Sequence, residues 1–496
     1  MNSELNPLQS TKEFLQNIWQ SVVFKVSSFL FISSILVLGF SLWKNLGEAK
    51  PVPIFSNIEE HYKYGVIGLG QQSRIPYWIW RVLPTMFPEK LPDPGNLASL
   101  GYIYESEQPP ELPPGIPIGL AYRQVGYPSV EPNCALCHTG TIRKGADLKL
   151  QLLLGAPAHE LDLQRFQQFL ADCANDPKFT THNLMAAINE IHPMGPIESL
   201  TYKYFILPVA KKGLIQQAVD YSWQSKRPAQ GRGRVDTFNP TKFNVYHFPD
   251  DGTIGTTDLP QVWNQKDRQD MYLHWDRNNN KLIQRNYAAA MAVGATPKSV
   301  LPDSFARVTS FLESLDSPAY PFSIDQDKSN RGKSIFDGKC ASCHAFTGEH
   351  VGQVTPVNLV GTDPHRLDSF TQGLVDKFHQ KGFEPWTKLD AYRKTDGYSN
   401  TPLDGIWARG PYLHNGSVPS LWDLLQPEDA RPKTFYRGYN VLDPANVGFV
   451  STGPEAEKVG FKFDVNIPGN SNQGHLYGVE LDSNDKTDLV EYLKGI

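Results

Sequence analysis

From Val26 to Trp43 the chain reads VSSFLFISSILVLGFSLW, eighteen residues without a charge, bracketed by Lys25 and Lys44. A helix needs about 20 such residues to cross a bilayer, so the stretch 26–43 is expected to be a transmembrane signal-anchor, with residues 1–25 as a tail. A secretory signal carries a shorter apolar run, and no clear small-x-small cleavage site follows. Lysines stand on both sides, so charge bias leaves the orientation open.

Beyond this segment the apolar positions recur at helical spacing. Leu163, Phe166, Leu170 and Cys173 share one helix face, which makes Cys173 a buried core thiol. Val308, Phe311, Leu312 and Leu315 mark another helix, ended by the two prolines of DSPAYPFS. A third carries Gly332, Ile335 and Phe336 toward Cys340, and a terminal helix pairs Leu489 with Leu493 after an N-cap at Asp482 or Ser483. Between them, QPPELPPGIPIG (Gln108 to Gly119) packs in too much proline to be helical. The expected fold is mainly α: a region over 51–316 and another over 322–496, both with long irregular loops, preceded by the one membrane helix.

At 496 residues the chain exceeds what one core usually holds. A net charge of −5 without a long basic run excludes a nucleic-acid partner. Its 39 prolines, 39 glycines and 11% aromatic residues suit loops wrapped around a flat apolar group better than a regular α/β sheet.

That group is named by the cysteines. Two Cys-x-x-Cys-His motifs occur, at Cys134, Cys137 and His138 and at Cys340, Cys343 and His344. With 5 cysteines and 13 histidines in the chain, roughly 0.001 chance occurrences are expected. Two thiols three positions apart lie on one side of a helical turn, where both reach the edge of a rigid planar molecule. Addition to the two vinyl groups of haem leaves the next histidine over the plane as an iron ligand. Zinc-binding halves stand much closer together than these motifs do, and a thioredoxin-type pair needs a βαβ context that neither motif has. The reading is two covalently attached haem c groups, bound by Cys134, Cys137, Cys340 and Cys343, with His138 and His344 on iron. Haem is attached on the oxidising side of an energy-transducing membrane, which puts the soluble part in the periplasm or lumen of a bacterial inner or thylakoid membrane.

All six methionines precede the second motif, so a methionine from a following loop is excluded as its sixth ligand. His475, in the glycine-rich PGNSNQGHLYG, and His414, in YLHNGSVPSLWDLL, are the rivals, and an open position is the third possibility.

NCALCHTGTIR, LLLGAPAHELD, GRGRVDTFNP, DLPQVWNQKDRQDMYLHWDRNNN, YLHNGSVPSLWDLL and PGNSNQGHLYG together resemble the dihaem cytochrome c peroxidase superfamily, in particular its rubber-oxygenase-like branch. The resemblance implies that His475 is the sixth ligand of the C-terminal haem and that the N-terminal haem keeps an open distal side. It also puts Trp275 near the domain interface, where it is readable as an electron relay between the haems, with Trp263 as runner-up, or equally as a core tryptophan that only packs. In GRGR, Arg232 and Arg234 are candidates for haem propionates, against a solvated loop. His159, His247 and His274 are available near the first haem, each equally readable as a surface or core residue. The leading expectation is a membrane-anchored dihaem cytochrome that transfers electrons to or from a redox protein or small-molecule oxidant. The alternative is a haem-dependent peroxidase or dioxygenase acting at the N-terminal haem.

Overall fold

The computed structural model describes residues 49–70, 73–269, 271–272 and 274–496, with scattered positions between Lys12 and Phe40. The chain is mainly helical, and its strands form short antiparallel hairpins joined by long loops. The helices lie where the apolar spacing puts them: Leu163–Asn175, Pro302–Ser314, Gln326–Lys339 and Ser483–Leu493. Asp482 caps the last of these by accepting from Asn484 and Asp485 N–H, which satisfies two donors that have no partner in the first turn. Cys173 is fully buried on the inward face of its helix.

The expected transmembrane helix is corrected. Among the described residues no helix is long and apolar enough to cross a membrane. A span needs about 20 consecutive apolar residues, whereas Leu207–Asp220 contains Lys211, Lys212 and Asp220 and Gln326–Lys339 is mostly polar. Of 26–43, only Val26, Ser27, Ser33, Gly39 and Phe40 are described; the rest lies outside the described residues, as does most of 1–25.

Two large apolar cores organise the rest, and neither follows chain order. One gathers residues from Phe55 to Leu312 and adds Phe370, Leu374, Phe378 and Tyr392. The other is built mainly from residues between Phe336 and Leu493 and takes in Ile142, Ala156 and Trp263. Each large core therefore draws segments from both sides of the proline break. The loops that cross between them carry the residues described next.

Candidate haem-binding site

The first motif is held by local chemistry. Asn133 caps the turn Cys134–Cys137, its side chain accepting from Ala135 N–H at 3.0 Å and donating to the Gly65 carbonyl at 3.1 Å. Gly119, at φ +88°, lets the backbone pass under the motif; a Cβ there would lie 2.7 Å from Leu136 Cβ. His138 Nδ1 lies 2.8 Å from the Pro260 carbonyl. With the proton on Nδ1 this bond fixes the tautomer and leaves the Nε2 lone pair free, the arrangement a ligating imidazole needs.

The second motif repeats the device from different segments. The helix Gln326–Lys339 delivers Cys340 and the turn Ala341–His344, and His344 Nδ1 lies 2.8 Å from the Thr401 carbonyl.

Facing His344 is His475. Their ring centroids are 6.1 Å apart, with the planes inclined at 45°. Two metal–nitrogen bonds of about 2.0 Å, with about 1.1 Å from each nitrogen to its ring centre, would separate the centroids by about 6.2 Å, so this pair fits one iron between them. His475 is held there by its loop. It sits at φ +51° and its N–H donates to the Val360 carbonyl at 2.7 Å. Arg431, 1% exposed, donates to the carbonyls of Asn472 at 2.6 Å and Gly474 at 2.9 Å. His414 is engaged elsewhere: it is buried and stacked on Tyr398 at 3.9 Å, and Nε2 has no partner.

Cys134, Cys137, His138, Cys340, His344 and His475 all retain accessible surface. Yet desolvation is the leading influence on each pKa. It pushes the thiols of Cys134, Cys137 and Cys340 up to about 11, 12 and 11. It pulls His138 down to about 4 and His475 to about 3, and lowers His344. The same burial disfavours thiolates, which a metal site would require, and favours a neutral thioether.

Buried cations supply a further test of fit. Beside His344, Arg268 and Arg409 share the single carboxylate of Asp404, while Arg277 donates only to a carbonyl, that of Asn400, at 2.6 Å. Nε of Arg277 and Nε of Arg409 are buried without partners. Three guanidiniums against one carboxylate leave positive charge that burial makes costly, and a group bearing two carboxylates would offset it. At the first motif Arg285 plays this part: it influences Cys134, His138 and His274, and its Nε is unpartnered. These arginines escape sequence reasoning because nothing local to them marks burial. Arg234, in contrast, was a candidate, and it is not in a solvated loop. It is 1% exposed, in the strand Arg234–Asp236, with Nε and Nη1 unpartnered. Arg232 is committed to the carbonyls of Glu160 and Ser99.

The remaining sequence candidates separate by position. Trp275 is half-buried; its Nε1 donates to the Asp258 carbonyl at 3.1 Å, and its own carbonyl accepts from Ser399 N–H at 2.8 Å. Asp258 stands two residues before the Pro260 that binds His138, and Ser399 two before the Thr401 that binds His344. One residue thus ties together the segments that orient both histidines. Trp263 is fully buried and donates to the Asp404 carbonyl at 3.2 Å. His159 is buried and stacked on Phe449 at 3.9 Å. His274, at φ +67°, has a buried, unpartnered Nε2. His247 lines a surface cleft with Trp223 and Phe243.

Residues 397–436 match the RoxA-like, cytochrome c-like family. The match makes this stretch similar to a cytochrome c-like domain, which supports a relationship to proteins with covalently bound haem c. The stretch contains Thr401, whose carbonyl lies against His344 Nδ1, and Arg431, which holds the loop of His475, but none of the attachment cysteines. The chain is also similar to the uncharacterized protein y4iM of Sinorhizobium fredii, 29% identical over 316 residues, covering 54% of this chain and 71% of that protein. A second protein of that organism, the uncharacterized protein y4iJ, is 25% identical over 501 residues, covering 77% and 82%.

Proposed function

We propose that the protein is a dihaem c-type cytochrome, related to the dihaem cytochrome c peroxidase superfamily, whose function is electron transfer. Cys134 and Cys137 would hold one haem and Cys340 and Cys343 the other, with His138 and His344 as ligands and His475 completing the second site. The observation that carries this reading is the 6.1 Å separation of His344 and His475, produced by two segments with no local relation. A haem in such a site supplies a one-electron iron couple. The protein's own contribution is to fix both imidazole tautomers through Pro260 and Thr401, to exclude water by burial, and to supply buried guanidiniums that would pair with the carboxylates of such a group. Trp275 offers an aromatic step between the segments that orient His138 and His344. Attachment through thioethers implies an oxidising compartment, the periplasm or lumen, and a redox protein or small oxidant as partner.

A second reading rests on an asymmetry. Among the described residues no histidine ring faces His138 as His475 faces His344, while Arg285 influences both His138 and His274. This supports a first haem with an open face and a peroxidase or dioxygenase activity there.

Acid-organic extraction should leave two haems on the chain, and Cys340→Ser with Cys343→Ser should remove one. Freely extracted haem, or none, would refute the proposal. Electron paramagnetic resonance of the oxidised protein separates the readings: two low-spin haems mean a relay, one high-spin and one low-spin mean an enzyme.

A further inference from the structure

Far from the cysteine pairs, residues 196–220 form a continuous helical segment: Pro196–Thr201, a π-helical turn Tyr202–Ile206, and Leu207–Asp220. Its inner face buries Tyr202, Ile206, Leu207 and Leu214, and the last part packs on Leu163–Asn175. The outer face of such a helix is ordinarily polar. Here Ile197, Leu200, Tyr204, Phe205, Val209 and Val219 are exposed, Val209 at 65% and Tyr204 and Val219 at 59%. An apolar stripe running the length of a surface helix marks an interaction face.

The charge along it decides the occupant. From Ser199 to Val219 the sequence contains Lys203, Lys211 and Lys212 and no carboxylate; the acids are at its ends, Glu198 beside His192 and Asp220 accepting from Gln216. Lys203 and Lys212 are exposed, while Lys211 donates to the Phe179 carbonyl at 2.8 Å. A second copy docked on this face by two-fold symmetry would bring the same lysines toward one another. An anionic lipid surface complements them.

We propose that Pro196–Asp220 is an interfacial helix that lies on an anionic phospholipid surface, its exposed apolar side chains in the headgroup–acyl boundary and Lys203 and Lys212 at phosphates. This is a contact in the plane of the membrane and does not rest on the haem reading.

The test places a nitroxide on the full-length protein at Val209→Cys, with Val219→Cys as a second position and labelled wild type as background. Cys173 is fully buried. With vesicles of phosphatidylcholine and phosphatidylglycerol, the label should lose mobility and become more accessible to oxygen than to a water-soluble nickel chelate. Phosphatidylcholine alone, or Lys203→Gln with Lys212→Gln, should weaken that response about thirtyfold. The proposal is overturned if anionic vesicles leave both labels unchanged. It is overturned equally if label–label dipolar broadening without vesicles reveals a second copy, or if both labels are immobile beforehand because the chain itself covers the face.

Discussion

Gly474→Ala tests how tightly the loop delivers His475. Gly474 stands at φ +79°, and a Cβ there would lie 2.5 Å from the Thr362 nitrogen, and closer still to the Gly361 carbon and the Val360 carbonyl. Ordinary contact begins at 3.4 Å, so the backbone must retreat by about 1 Å. The neighbours are main chain and cannot rotate away. Forcing alanine into this conformation costs about 1–2 kcal/mol, and the overlap a further ~1–3 kcal/mol. A bond of about 2.0 Å between metal and imidazole does not survive a displacement of that size, so the loop must either move, losing His475, or hold at the expense of stability. The second haem should change from low-spin to high-spin in the absorption and paramagnetic resonance spectra, with the first unaltered, and added imidazole should restore the low-spin signal. If Gly474→Ala keeps a low-spin second haem at wild-type stability, the argument from loop geometry is wrong.

Three other changes probe different links. Trp275→Phe removes the donation to the Asp258 carbonyl; both haem spectra should persist while transfer between haems after rapid reduction of one slows, and unchanged kinetics would make Trp275 a packing residue only. Arg277→Gln removes buried positive charge beside His344, so the second haem's midpoint potential should fall by tens of millivolts, about 1–2 kcal/mol, as read by spectroelectrochemistry; an unchanged or higher value would refute the assignment. Burial raises the Glu160 pKa to about 7, opposed by its bond to Thr141. The folded state therefore holds a proton that the unfolded state releases from about pH 4.5, and stability should fall as pH rises from there to about 7, by at most about 1.4 kcal/mol per pH unit. Glu160→Gln should flatten that slope in denaturant titrations.

What the sequence determined is what short-range rules govern. Two Cys-x-x-Cys-His motifs define turns whose thiols share a side, and helical spacing located Leu163–Asn175, Pro302–Ser314 and Ser483–Leu493. The uncharged run at 26–43 satisfied the rule for a span, yet no described helix meets that criterion. Choosing His475 over His414 as the ring opposite His344 took tertiary structure, because both lie in polar, glycine-containing loops and differ only in where distant segments carry them. The same holds for Arg268, Arg277, Arg285 and Arg409. An arginine in a sequence looks solvated, and only the fold shows that it is enclosed with too few carboxylates. Trp275 bridges segments that meet only in the folded chain. Local sequence sets turns, caps and spacing, whereas which groups face each other depends on how the two cores interleave.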